Sequence, residues 1–134
     1  MAEPTDTSLA VPAGKFRVEY AVDEEGKMPA KEFLDSLGPA TKARFLASFS
    51  HFSHNGPQGM TDKMFCQERE DIHAFKCKEK KLRLRIPCFR HGDCWKLTHG
   101  FVKPPQSEWH EEEFTRANKI KEFSLRQTKQ PKKQ

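Results

Sequence analysis

Two basic stretches in the middle of the chain carry the residues whose side chains are best suited to bind a ligand or take part in a reaction. In each stretch Lys or Arg alternates with apolar residues, and the charged members are Lys76, Lys78, Arg83 and Arg85. Alternation with a period of two is typical of a half-buried β-strand. If a two-residue turn at Lys80-Lys81 joins two antiparallel strands, the four cations lie opposite one another on one face. Like charges directly across an antiparallel pair destabilise it, so we expect an anion to bind there.

The composition favours the same kind of partner. The chain has 134 residues, which suits one domain, and its net charge of +5 favours polyanions such as nucleic acid. A solvated Lys-rich sheet face has the same signature. The sequence has neither a basic segment followed by an apolar run at its start nor a run of eighteen apolar residues. We therefore expect neither export nor membrane insertion, and a cytoplasmic, reducing location.

The elements that must position these cations follow from the periodicity of the apolar residues. We predict an α+β fold with a four-stranded, mainly antiparallel sheet and helices on one of its faces. The predicted order is a strand, two helices that begin near Pro29 and Pro39, a three-strand meander and a C-terminal helix. The predicted strands cover residues 16–22, 72–79, 82–90 and 94–101, and residues 56–71 are predicted to form a loop.

Both ends of the chain are predicted to lie outside the folded domain, which covers residues 15–125. Residues 1–14 combine Pro, Gly and small polar residues with few apolar groups, and residues 126–134 are polar and basic. Such compositions bury too little apolar surface to offset the loss of chain entropy. We therefore predict a disordered N-terminal segment and a flexible basic tail.

The four cysteines are interpreted as reduced thiols without a metal. Cys77 and Cys88 alternate with apolar residues in the predicted strands and are expected to point into the core. An alternative is a zinc site made from Cys88, His91 and Cys94 together with Cys66 or Cys77. The spacing of these residues fits no common zinc motif.

The meander and the segment after it carry a family resemblance. The order of elements, the strand ending in Leu84-Arg85-Ile86 and the segment His99-Gly100-Phe101-Val102-Lys103 resemble the RelE/HigB superfamily of bacterial toxins, in particular its phage-derived HigB-like branch. The similarity covers residues 15–124, and Lys76 and Lys78 precede Arg85 at the spacing of the family's basic strand positions. Three positions depart from the family pattern, namely Ala74, Leu84 and Pro104, where an acidic residue, an aromatic residue and a lysine are usual.

The resemblance implies a RelE-like fold and the toxin of a type II toxin–antitoxin system. Toxins of this kind are endoribonucleases that need no metal or other cofactor. They cleave mRNA, usually on the ribosome, by attack of the substrate's own 2′-hydroxyl on the adjacent phosphate. The implied protein partner is a cognate antitoxin, often of the helix-turn-helix type.

Within that reaction the basic residues have distinct expected roles. Arg85 suits a phosphate clamp because its planar fork binds phosphate oxygens bidentately. Lys76 or Lys78 is a candidate base, since neighbouring cations disfavour the protonated form of an ammonium group. Arg83 is expected to act as a second clamp or to contact the RNA backbone, and Lys103 is expected to add a further positive contact to the RNA.

The proton donor is sought among the remaining polar residues. His110 lies in the first turn of the last predicted helix, where the helix dipole favours the neutral imidazole, so it is a candidate catalytic residue. Trp109 is expected to stack on an unpaired base. Tyr20 falls on the apolar side of the first strand and is interpreted as a core residue.

Two other functions remain open from the sequence. The first is a non-catalytic RelE-fold regulator that binds RNA or a protein through the same basic residues, and the three departures at Ala74, Leu84 and Pro104 favour it. The second is that the cations only keep one sheet face soluble. Single-turnover cleavage of ribosome-bound mRNA discriminates an enzyme from either alternative.

Overall fold

Three helices and six strands make up the part of the chain that the computed structural model describes, residues 8–104 and 109–129. The strands are β1 (Arg17–Tyr20), β2 (Phe65–Arg69), β3 (Ile72–Glu79), β4 (Leu82–His91), β5 (Cys94–Leu97) and β6 (Phe101–Lys103). The helices are α1 (Pro29–Asp35), α2 (Pro39–Asn55) and α3 (Glu111–Lys129), and a short 3₁₀ turn at Pro57–Gly59 follows α2. The predicted α+β class and the predicted helices are confirmed.

The six strands form one mixed sheet around β4. The order is β1-β5-β4-β3-β2. Strand β6 pairs with the first half of β4, along the same edge of β4 that pairs with β5 in its second half. Strand β1 runs parallel to β5, and the other pairs are antiparallel. The predicted meander of three antiparallel strands is confirmed for β3, β4 and β5, but the sheet has six strands rather than the predicted four.

Strand β2 lies inside residues 56–71, which the sequence predicts to be a loop. Only Phe65 of its five residues is buried, and the others are half-buried or exposed. The strand forms the edge of the sheet, and its register with β3 shifts between Gln67 and Arg69. An edge strand with one core residue and a bulge shows no apolar alternation, which explains why periodicity did not indicate it.

The predicted strand over residues 94–101 is divided by a bulge. Cys88 pairs with Leu97 and Arg85 pairs with Phe101, so two residues of β4 lie opposite three residues, Thr98 to Gly100. One of the two is Pro87, which has no N–H to donate, and its carbonyl accepts the backbone N–H of Thr98 at 2.8 Å. The extra residue reverses the side-chain alternation, so that Leu97 and Phe101 point to opposite faces of the sheet.

Helices lie on both faces of the sheet, not on one as predicted. Helices α1 and α2 cover the first face, where three phenylalanines of α2 pack with Phe75, Trp95 and other sheet residues. Helix α3 lies on the second face, where Phe114 and Ala117 pack with Ile72, Phe89 and Phe101. No helix was predicted on the second face because the bulge is not visible in the sequence. Without the bulge, Phe101 would point to the same face as Leu97.

Both predicted ends of the domain differ from the structure. Residues 8–14 were predicted to be disordered, yet Leu9 bridges Glu19 and the Gly14 N–H donates to the Ser53 hydroxyl at 2.6 Å. Helix α3 continues to Lys129, beyond the predicted domain end at 125. The rest of the two predicted tails, residues 1–7 and 130–134, lies outside the described residues. Within the described part of the chain, every helix is too short or too polar to cross a bilayer.

Candidate anion-binding site

Five cationic side chains belong to the second face of the sheet, at the end next to the β3–β4 turn. These residues, which we call the basic face, are Lys76, Lys78, Arg83, Arg85 and Lys103. Strand register places Lys78, Arg83 and Lys103 in one row across three strands, and Lys76 beside Arg85 in the next row. The predicted pairing of the four central cations across the turn is therefore confirmed.

The bulge opposite Pro87 explains why Lys103 joins this group. In an unbroken strand, Lys103 would point to the same face as Leu97, which lies in the core beneath α1 and α2. The extra residue moves Phe101 and Lys103 to the second face, next to Arg85 and Arg83. Sequence analysis identified Lys103 as a contact residue but did not predict the bulge that positions it.

The basic face borders an open depression of about 440 Å³. Its lining residues are Lys63, Lys76, Cys77, Lys78, Arg83 and Arg85. Such a volume lies in the range of ligand pockets, about 300–1,000 Å³. Lys63 was not predicted because it lies in the segment before β2 as a single lysine, with no pattern around it.

Arg85 is one of four half-buried cations of the basic face. Its Nη1 donates to the Leu84 carbonyl at 2.9 Å, and its buried Nε has no hydrogen-bond partner among the described residues. Burial lowers the pKa of Arg85, and the nearby carboxylate of Glu68 opposes that shift. A buried guanidinium N–H without a partner is costly. The Arg85 side chain also lines the depression, where a guanidinium group is suited to bind an anion.

Glu68 is an acidic neighbour of Arg85 that sequence reasoning missed. It lies on β2 at the register shift between Gln67 and Arg69, and its Oε2 accepts the Cys66 thiol at 3.1 Å. Burial raises the pKa of Cys66, which keeps the thiol protonated as a donor. No signal in the sequence could have linked Glu68 to Arg85, because the strand that carries it was predicted as loop.

The two aromatic candidates of the last predicted helix are not at the depression. Trp109 is 6% exposed, and its ring packs against Phe101 at 4.8 Å and Phe114 at 4.6 Å between centroids. This burial contradicts the expectation that Trp109 stacks on a base. His110 is exposed, immediately precedes α3 and does not line the depression.

A hydrogen-bond chain fixes the bulge to the first turn of α3. His99 is fully buried, and its ring nitrogens lie 3.0 Å from the Thr98 hydroxyl and 2.9 Å from Oε1 of Glu113. Burial, with a smaller effect of Arg116, lowers the pKa of His99 to about 3. Burial raises the pKa of Glu113. His99 is therefore neutral and structural, as expected from the sequence, and it anchors the strand that carries Lys103.

The cysteines occur as four free thiols. Cys88 is buried in the core, Cys77 packs against it, and Cys66 and Cys94 are half-buried. Tyr20, another predicted core residue, is 7% exposed, and burial raises its pKa to about 12. Within residues 8–104 and 109–129, no three or more side chains of His, Cys, Asp or Glu lie close enough together to hold a metal ion. The alternative zinc site therefore gains no support.

The fold and the basic face define an α+β protein with a cluster of cationic side chains at one end of its sheet. No protein-family model and no curated protein matches the chain. A more specific function therefore depends on the chemistry of the basic face and on the family resemblance in the sequence.

Proposed function

We propose that this chain is the toxin of a type II toxin–antitoxin system, a RelE/HigB-like endoribonuclease that cleaves mRNA on the ribosome without a metal or other cofactor. It acts in the cytoplasm and is held inactive by a cognate antitoxin of the helix-turn-helix type. The observation that carries the proposal is Arg85, whose side chain lines the depression together with further cations and whose buried Nε has no hydrogen-bond partner among the described residues.

The arrangement of charge supports a polyanion rather than a single small anion. Two neighbouring rows hold five cations on three strands, and antiparallel strands lie about 5 Å apart. A site of this extent is suited to the successive phosphates of a nucleic-acid backbone. The described residues that line the depression include no aromatic side chain, which favours recognition of the backbone over stacking on bases.

The same residues can stabilise the proposed reaction. Attack of the 2′-hydroxyl on the adjacent phosphate increases the negative charge on the phosphate oxygens, and Arg85 and Arg83 offset that charge. Lys76 and Lys78 carry N–H groups that can donate a proton to the leaving 5′-oxygen. Lys76 or Lys78 can accept the proton of the 2′-hydroxyl only as the neutral amine, so the lysine that accepts it cannot also be the donor to the 5′-oxygen.

The test is replacement of Arg85 in single-turnover cleavage of ribosome-bound mRNA. Arg85→Ala removes the guanidinium fork, and we expect cleavage to fall by about 10²-fold or more, as for the loss of one transition-state charge contact. Expression of the wild type from a tight promoter is expected to arrest growth, and expression of the variant is not.

A matched control is Arg90→Ala, because Arg90 is an exposed arginine of the same strand whose guanidinium lies near Phe16 and Trp95 instead. This variant is expected to cleave at the wild-type rate. Full activity of Arg85→Ala would show that Arg85 does not clamp the phosphate. Absence of a neighbouring reading frame for a small helix-turn-helix protein would argue against the toxin assignment.

A second candidate function is a non-catalytic regulator that binds RNA or a protein through the basic face. The positions of Trp109 and His110 favour it, because neither residue lines the depression and no aromatic or imidazole group is among the described residues that do. RNA binding by wild-type protein without cleavage in the single-turnover experiment would establish this function in place of the enzyme.

A further inference from the structure

Strand β6 has an open edge next to the basic face. In the part of the chain that the structure describes, β6 pairs with a single strand, β4, whereas β5 lies between two neighbours, β4 and β1. Successive residues of a strand in an antiparallel pair direct their N–H and C=O groups alternately towards the partner and away from it. Alternate residues of β6 therefore direct their backbone groups away from β4. An edge of this kind is a template for a strand of another chain.

Two exposed aliphatic side chains are neighbours at this edge, on the first face of the sheet. Val102 of β6 is 47% exposed, and Leu82 of β4 is 50% exposed. Val102 is the cross-strand partner of Leu84, which lies two positions after Leu82, so Val102 and Leu82 are diagonal neighbours on one face. The half-buried ring of Phe33 in α1 extends this apolar surface, because it lies directly against Gly100, the residue before β6.

The same two strands present cations on the second face of the sheet. Lys103 follows Val102 on β6, Arg83 follows Leu82 on β4, and Lys103 and Arg83 are cross-strand partners. Successive side chains of a strand point to opposite faces. The edge at β6 is therefore apolar on the first face and cationic on the second. A further strand, about 5 Å from β6, would meet the apolar surface and the cations with alternate residues.

We propose that the open edge of β6 is the docking site for an extended segment of a partner protein in which acidic and apolar residues alternate. The segment adds a strand to the sheet. Its acidic side chains lie beside Lys103 and Arg83, and its apolar side chains cover Val102 and Leu82. The inference rests on the proposed function for its consequence, since a segment held at this edge competes with RNA for the basic face.

Charge distinguishes this partner from a second copy of the chain. Antiparallel pairing of β6 with β6 of another copy would place the basic faces of both copies on the same side of one continuous sheet. Lys103 and Arg83 of one copy would then lie next to the same cations of the other, and like charges on adjacent strands destabilise the pair. Carboxylates in the added strand reverse the sign of that interaction.

The first experiment uses a synthetic peptide in which Glu alternates with Val. Its affinity for the full chain is measured by fluorescence anisotropy and compared with two controls, a peptide of the same composition in scrambled order and a peptide with Lys in place of Glu. We expect the alternating peptide to bind at least about tenfold more tightly than either control. Hydrogen exchange at the backbone amides of residues 101–103 is expected to slow when this peptide is bound, because strand pairing protects N–H groups. Attraction between charges alone does not protect them.

A double variant removes the apolar half of the edge and leaves the basic face intact. Val102→Ser with Leu82→Ser is expected to weaken binding of the alternating peptide about tenfold or more, because less apolar surface is buried. Its affinity for single-stranded RNA is expected to equal that of the wild type. The matched control is Val22→Ser, at an exposed valine that lines a separate cavity with Phe123 and Ser124, and it should bind the peptide as the wild type does. Thermal melts show whether each variant is folded.

Competition connects the edge to the basic face. The alternating peptide is expected to reduce RNA binding and cleavage by the wild type, and unchanged RNA affinity at saturating peptide would overturn this consequence. Equal affinity of the alternating and scrambled peptides, unprotected β6 amides, or wild-type peptide affinity of the folded double variant would overturn the docking site, and the endoribonuclease would stand if the wild type cleaves RNA. If the peptide protects β6 but the wild type neither binds nor cleaves RNA, the docking site stands and the proposed function fails.

Discussion

The second face of the sheet has two halves that differ in chemistry although the same strands form them. Under α3 the strands present Ile72, Ala74 and Phe89, and all three are buried. One step beyond Ala74, β3 presents Lys76; two steps beyond Phe89, past Pro87, β4 presents Arg85 beside the open depression. The change from apolar to cationic occurs at the same level on both strands, where α3 no longer covers the sheet.

The comparison indicates different roles for the two halves of one sheet face, one in stability and the other in function. Burial of apolar side chains under α3 lowers the free energy of the folded state, and a cation in that half would lose its hydration. In the open half, repulsion between cations opposes folding slightly and is relieved when an anion binds. We therefore expect substitutions in the first half to change stability, and those in the second half to change binding and catalysis.

The largest expected effect is on stability in the covered half. Phe89→Ala removes a fully buried ring and leaves a cavity, which is expected to reduce the free energy of unfolding by about 3–5 kcal/mol. Chemical denaturation followed by circular dichroism measures the change. The matched variant is Arg85→Ala in the open half of the same strand, for which we expect less than about 1 kcal/mol. Equal losses in the two variants would remove the distinction between the halves.

An intermediate effect is expected from pH, through the contact that joins the bulge to α3. Folding lowers the pKa of His99 from 6.5 to about 3, so between these values the unfolded chain binds a proton that the folded protein does not. Stability therefore falls as the pH is lowered below about 6.5, by up to about 1 kcal/mol per pH unit. The raised pKa of Glu113 has the opposite sign and reduces this loss at the acidic end.

Denaturation curves of the wild type and His99→Gln between pH 4 and pH 7.5 test this expectation. The variant has no imidazole to protonate, so its stability is expected to depend less on pH. If both proteins show the same pH dependence, another group must cause it. Arg116 is the described cation that lowers the pKa of His99, so Arg116→Gln is expected to raise that pKa and to reduce the loss of stability at low pH.

The smallest expected effect concerns single cations of the open half. Lys78→Ala removes an exposed charge from the row with Arg83 and Lys103, so RNA binding weakens equally for all sequences. The slope of log K against log salt for single-stranded RNA is expected to become shallower by about 0.7. Lys27→Ala, at an exposed lysine paired with Glu25, is the control and should leave the slope unchanged. An unchanged slope for Lys78→Ala would place the RNA elsewhere.

Local pattern was sufficient to predict the center of the fold. Strands β3 and β4 alternate clearly, and the two-residue turn at Lys80-Lys81 fixes their register, so the pair of Lys76 and Arg85 followed from sequence. Lys80 has a positive φ of 56°, as expected in such a turn. The same reasoning placed α1 and α2 because each begins with a proline.

The features that were not predicted correctly depend on residues that are distant in the chain. The bulge after Leu97 follows from Pro87 on the neighbouring strand, and the alternation from Trp95 to Phe101 continues through it in the sequence. From the sequence, Trp109 was interpreted as an exposed residue that stacks on a base. Only its packing against Phe101 and α3 makes it a core residue. Glu68 was missed for the related reason that its strand is stabilised by pairing rather than by burial of its own side chains.

The parallel pairing of β1 with β5 has a consequence for the order of folding. Arg17 and Cys94 are partners although 77 positions separate them in the chain, whereas the β3–β5 meander consists of neighbours in sequence. Contacts between distant residues form late because closing a long loop costs chain entropy before any contact repays it. During synthesis β1 therefore emerges first and must wait for its partner, with Val18 and Tyr20 exposed to water until the meander is complete.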